Sequence, residues 1–173
     1  YVELIKKAGI ADQNVPRPEY SVTEPIYLET KTGSIMTIVP DSRFRISCTQ
    51  VGPEGRFTQF YSTEITPAIY EKEIAPARSF DTCENIGMAQ KRGKVGGGYL
   101  QSHIIMYDGK VINTKLRYPD EFVRHKILDL IGDLYLLGFR IKGRIVANMT
   151  SHGYNQALVQ RMYQAIQSNS RSV

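Results

Sequence analysis

Tyr118-Pro119-Asp120-Glu121-Phe122-Val123-Arg124-His125-Lys126-Ile127-Leu128-Asp129 opens the strongest helical segment of this chain and sets His125 and Asp129 four residues apart. Side chains at i and i+4 share one helix face, so this pair can meet at a common point such as a metal ion. Pro119 suits the first helical position, where a missing N–H costs nothing. Asp120 and Glu121 add negative charge at the positive end of the helix dipole. The pattern predicts a helix over 119–137. Val123, Ile127, Leu130, Ile131, Leu134 and Leu137 line one face, the ordinary signature of packing on a sheet. The opposite face carries Phe122, His125, Asp129, Gly132 and Leu136, and a helix apolar on both sides is covered on both sides. A second layer is therefore expected over His125 and Asp129. Spacing alone also fits a helix-surface ion pair, because a catalytic zinc site needs three protein ligands.

Outward from this helix, the chain is long enough for one domain with a core: 173 residues, 42% of them hydrophobic. There is no run of 18 apolar residues and no signal-peptide pattern, so no transmembrane segment and a cytoplasmic address are expected. Cys48 and Cys83 lack metal spacing and read as two reduced thiols, with a disulfide left open. The net charge of +5 suggests an anionic partner, yet clusters such as Lys91-Arg92-Gly93-Lys94 are short and fit a solvated surface.

Residues 2–9 predict a short helix ending at Gly9, followed by an extended, proline-containing linker at Asn14-Val15-Pro16-Arg17-Pro18. Strand signals follow at 26–29, 34–39, 43–51 and 56–65, separated by turns such as Thr32-Gly33, Pro40-Asp41-Ser42 and Gly52-Pro53-Glu54-Gly55. Such short connections favour an antiparallel meander. Residues 67–74 and 81–92 predict helices, and 104–107 with 111–113 a hairpin around Asp108-Gly109. After the long helix come a strand near 144–149 and a helix from about Ser151 to Gln167. The order implies an α+β fold, a two-layer sandwich with an antiparallel or mixed sheet and helices on one face.

The run from Leu116 to Gly138 resembles the signature helix of the UDP-3-O-acyl-N-acetylglucosamine deacetylases, the zinc enzymes of lipid A biosynthesis. Two shorter stretches flank it in the matching order. Ala75-Pro76-Ala77-Arg78-Ser79-Phe80 resembles that family's Ala-Arg-Thr-Phe, with serine for threonine. Thr150-Ser151-His152-Gly153-Tyr154-Asn155 resembles its Ser-Gly-His-Ala-Leu-Asn. Tyr1 to Ile10 looks like the last helix of the family's first domain.

This resemblance implies two similar domains, the first supplying a general-base glutamate and a histidine as third zinc ligand, and no segment here resembles those. The chain is therefore expected to be the C-terminal half. Residues 1–18 would end the first domain and form a linker, and 19–173 would be the second domain with a βαβ insert at about 80–113. The implied cofactor is Zn2+. The implied partners are UDP-3-O-acyl-N-acetylglucosamine and the missing N-terminal domain, with no nucleic acid, and this half alone is expected to be inactive.

By resemblance, His125 and Asp129 are metal ligands, and Lys126 contacts substrate near the reacting centre. Ser79 takes the place of the threonine that polarises the amide carbonyl, a role a serine hydroxyl can fill, and Phe80 borders the substrate. His152 is the general acid for the leaving amine. Ser151 before it is a good helix N-cap and sets the imidazole at the positive end of a helix. Gly96-Gly97-Gly98 is no Walker loop, since no Gly-Lys-Ser/Thr follows. In the family a glycine-rich piece lines an acyl-chain passage, which makes Gly97 and Gly98 substrate-binding candidates. His103 would join the metal only if its strand reached it. A rival of another class is a non-catalytic α+β module that binds a partner or RNA through its sheet, using exposed aromatics such as Tyr27, Phe57, Phe60 and Tyr61.

Overall fold

The structure, a computed structural model, describes residues 1–31, 33–52, 55–93 and 102–170. Helix α1 (Val2–Ala8) ends at Gly9, where φ is 89°. Strands β1 (Glu19–Ser21), β2 (Ile26–Glu29), β3 (Ile35–Val39), β4 (Phe44–Val51) and β5 (Thr58–Glu64) follow. A short helix α2 (Pro67–Ile69), capped by the Thr66 hydroxyl, runs into a π-type turn over Tyr70–Ile74. Next come β6 (Ser79–Thr82), α3 (Cys83–Lys91), β7 (His103–Tyr107) and β8 (Lys110–Val111). The chain continues with α4 (Glu121–Leu134), a 3-10 turn (Tyr135–Leu137), β9 (Arg140–Asn148) and α5 (His152–Ser170).

The large sheet has the order β2-β3-β9-β4-β5, with β1 also pairing β9. An antiparallel meander is not what forms. The late strand β9 inserts between β3 and β4, antiparallel to the former and parallel to the latter and to β1. Strand alternation is local and legible, whereas the choice of neighbour depends on the long crossover that parallel pairing requires. Residues 40–43 span the width that β9 occupies. Gly143 sits where these segments meet: a Cβ there would lie 2.8 Å from Val22 Cγ2 and 3.2 Å from the Val39 carbonyl.

Leu28, Met36, Ile38, Ile46, Cys48, Ile145 and Ala147 from the sheet bury against Val123, Ile127, Leu130 and Leu134 of α4 and Leu158 and Met162 of α5. The fold is thus the expected α+β sandwich with helices on one face. Strand β9 begins at Arg140, four residues ahead of the expected 144, because β1 pairs with its first turnless residues, Arg140 to Lys142. β1 itself is too short to read from sequence.

Two local expectations change. Pro119 lies outside α4, which starts at Glu121 after the non-helical Asp120 (φ −112°, ψ 32°), and the Asp120 carboxylate pairs with Arg124 Nε at 2.6 Å instead of capping. The stretch 79–82, expected as loop and helix start, is strand β6, because it finds a parallel partner in β7. The Thr82 hydroxyl then caps α3, accepting from the Asn85 N–H. The β7/β8 turn is as expected: Asp108 and Gly109 both take positive φ, 49° and 71°, the backbone of a tight hairpin.

β6, β7 and β8 form a second, small sheet. Ile104 and Met106 of this sheet pack with Phe122 of α4, and Phe57 and Phe80 join them. This small sheet covers the Phe122 end of the second face of α4. The cover continues over His125 and Asp129, 15% and 13% exposed, and stops before Gly132, which is exposed, and Leu136, 69% exposed. Tyr27 and Phe60 are exposed on opposite edge strands, while Phe57 packs on the cluster of Ile104, Met106 and Phe122 and Tyr61 lies 3.9 Å beneath the Arg124 guanidinium. The aromatics proposed for RNA stacking do not make one platform.

Candidate active site

Helix α4 carries Glu121, His125, Asp129 and Asp133 at successive four-residue steps, so one stripe of the helix holds four ionisable groups. His125 Nε2 lies 3.4 Å from Asp129 Oδ1, and both side chains are largely withdrawn from water, at 15% and 13% exposure. Nδ1 of His125 faces the Ala77 carbonyl at 3.4 Å. That carbonyl can only accept, so Nδ1 carries the proton and the Nε2 lone pair is left for another centre. Burial pulls the His125 pKa below the ordinary imidazole range, against the opposing pull of Asp129, and keeps the ring neutral. The Phe80 ring stands edge-on to it, with centroids 6.2 Å apart.

Lys126 extends back over the same turn. Its Nζ contacts Asp129 Oδ2 at 3.0 Å and lies 5.9 Å from the Phe80 ring centroid. The two Asp129 oxygens thus divide their work, Oδ2 to the ammonium and Oδ1 to the histidine side.

From the other helix, His152 enters as the first residue of α5, where Ser151 Oγ accepts from the Tyr154 N–H. His152 Nδ1 is 2.8 Å from Asp133 Oδ2, and Nε2 is 4.0 Å from Asp129 Oδ1. Unlike His125, this ring is open, 66% exposed. Asp133 Oδ2 also accepts from the fully buried Asn155 side chain at 2.8 Å. His125, Lys126, Asp129 and His152 therefore converge on one locus.

Ser79 starts β6, two residues after the carbonyl that faces His125. Phe80 both borders the site and packs on the small-sheet cluster, with ring centroids 4.7 Å from Phe122. Gly97 and Gly98 lie outside the described residues. A cavity of about 310 Å³ opens beside Lys126, lined in part by Val51, Phe80, Met106 and Met149. The sequence reading gives Asp133 no place in the site, and it names Asn155 only as the last residue of the Thr150–Asn155 stretch, without a role. The step of four from Asp129 to Asp133 was a signal for the first, while only the packing of α5 on α4 brings in the second.

The donor set fits part of a zinc site. One imidazole nitrogen with its proton held on the far side and one carboxylate oxygen are the right chemistry, and among the described residues no group of three His, Cys, Asp or Glu completes it.

A family model described as UDP-3-O-acyl N-acetylglycosamine deacetylase (LpxC) matches residues 1–164. The chain belongs to this family. It is 37% identical to the UDP-3-O-acyl-N-acetylglucosamine deacetylase of Chlamydia muridarum over 170 residues, covering 96% of this chain and 59% of that protein. The deacetylase of Chlamydia felis is 36% identical, over 96% of this chain and 60% of its own length. That of Chlamydia trachomatis serovar L2 is 35% identical, over 100% and 61%. The chain spans about three fifths of the length of these deacetylases. Among the described residues no helix is long and apolar enough to cross a membrane.

Proposed function

We propose that this chain is the C-terminal part of a zinc-dependent deacetylase that removes acetate from UDP-3-O-acyl-N-acetylglucosamine in lipid A biosynthesis. The observation that carries the reading is the meeting of His125, Asp129, Lys126 and His152 at one locus from two helices. His125 Nε2 and Asp129 Oδ1 would hold Zn2+, with the third ligand and the general-base glutamate on a preceding domain. Residues 1–18 would end that domain and link it to 19–173, a division supported by α1, which buries none of its residues. A nucleotide-sugar substrate favours action in the cytoplasm.

When bound, zinc would supply the Lewis acidity that polarises an acetamide carbonyl and acidifies a water. His152 would protonate the departing amine nitrogen: Nε2 faces the locus, 4.0 Å from Asp129 Oδ1, while Asp133 Oδ2 lies 2.8 Å from Nδ1 and orients the ring. The Lys126 ammonium would contact the substrate beside the reacting centre, and the Ser79 hydroxyl would donate to the carbonyl oxygen. Phe80 would border the sugar, and the cavity next to Lys126 offers Val51, Phe80, Met106 and Met149 to an acyl chain, with Gln50, Asp81, Thr82 and Asn85 also on its lining. Gly97 and Gly98 would extend that passage.

The test is zinc content and acetate release on UDP-3-O-acyl-N-acetylglucosamine by the full-length protein, compared with residues 1–173 alone. Stoichiometric zinc and turnover only in the full-length protein are expected. Tight zinc binding by residues 1–173 would place the third ligand within this chain and overturn the division of the site.

A further inference from the structure

Glu121 is fully buried, an unusual place for a carboxylate, and the proposed chemistry makes no use of it. It accepts from Arg78 Nε at 2.8 Å and Nη2 at 3.1 Å, from the Arg78 backbone N–H at 3.1 Å and from the Arg117 N–H at 2.6 Å. Arg78 is held in turn by Thr114 Oγ1 at 2.9 Å and the Lys115 carbonyl at 2.7 Å. The Arg78 N–H belongs to the same peptide group as the Ala77 carbonyl. In a trans peptide these two groups point in opposite directions from one rigid plane. One end of that plane docks on Glu121, and the other faces Nδ1 of His125, one helical turn further along α4. A single peptide plane thus bridges two successive turns of the helix.

We infer that Glu121 and Arg78 are positioning residues for His125, acting through the Ala77–Arg78 peptide. The clamp fixes the carbonyl that accepts from Nδ1–H, and so fixes both the tautomer and the direction of Nε2. A general helix staple would require neither the backbone N–H contact nor the opposed carbonyl. This role rests on His125 being a metal ligand, where such supporting partners typically change metal affinity.

The experiment uses the full-length protein and the variants Glu121→Gln and Arg78→Lys, with Asp120→Asn as a comparator that breaks only the neighbouring ion pair to Arg124. Zinc affinity is measured by chelator competition, and the His125 tautomer by 15N NMR of the metal-free protein at a pH where the ring is neutral. The clamp variants are expected to bind zinc about tenfold to a hundredfold more weakly and to lose the Nδ1–H preference, while Asp120→Asn keeps both. Wild-type affinity and tautomer in the clamp variants, or an equal loss in Asp120→Asn, would overturn the inference. If Glu121→Gln fails to fold, Arg78→Lys decides on the same two measurements. A wild-type protein that binds no zinc would refute the metal site, and the tautomer would still decide the clamp.

Discussion

Asp133 and His152 meet across the contact between α4 and α5, with carboxylate Oδ2 2.8 Å from imidazole Nδ1, and Asn155 pins the same oxygen from the second helix. The histidine is exposed, so this one bond, and not packing, sets its direction. Asp133→Asn should therefore lower turnover by about tenfold to a hundredfold, as for a group that orients another, with zinc content unchanged. Metal analysis beside steady-state rates checks both halves of that expectation.

His152→Ala and His125→Ala should separate proton transfer from metal binding. The first should retain zinc and lose roughly a hundredfold to ten-thousandfold in turnover, the range for a positioned general acid. The second should lose the metal as well. Near-normal turnover in the His152 variant would leave that residue as part of the helix start only.

Acid should expose the contribution of Glu121. Burial pushes its pKa up, but the bonds from Arg78 and Arg117 together outweigh this and hold the carboxyl below the ordinary glutamate value. A depressed folded-state pKa stabilises the fold above the unfolded value of about 4.3, and that stability is lost as pH falls through the folded value. Denaturation midpoints from pH 7 to 3 should fall more steeply for wild type than for Glu121→Gln. Parallel curves would contradict the assignment.

The two thiols should differ in reactivity. Burial pushes Cys48 up to about 12, deep in the sheet core, whereas Cys83 at the start of α3 is half-buried. Iodoacetamide at pH 8 should label Cys83 first and reach Cys48 only on unfolding. Peptide mapping of the native protein reads this directly.

At Gly143, alanine would bring a Cβ to 2.8 Å from Val22 Cγ2 and 3.2 Å from the Val39 carbonyl. Overpacking of this kind costs about 1–3 kcal/mol. Urea denaturation of Gly143→Ala should show that loss without a change in the protein's zinc content.

Local patterns in the sequence were enough for α4, for β2 through β5 and for the β7/β8 hairpin, because spacing along a helix or strand determines which side chains share a face. The same spacing set His125 beside Asp129 before any coordinates. The sequence could not reveal that β9 lies between β3 and β4, or that the cover over the second face of α4 ends short of Gly132. Each depends on a partner far away in the chain, and pairing energy has no local signature. The meeting of Asp133 with His152 and of Glu121 with Arg78 is likewise tertiary, spanning separations of 19 and 43 residues. Residue order determined which groups each helix offers, and the packing of α5 and the β6 segment on α4 decided which of them touch.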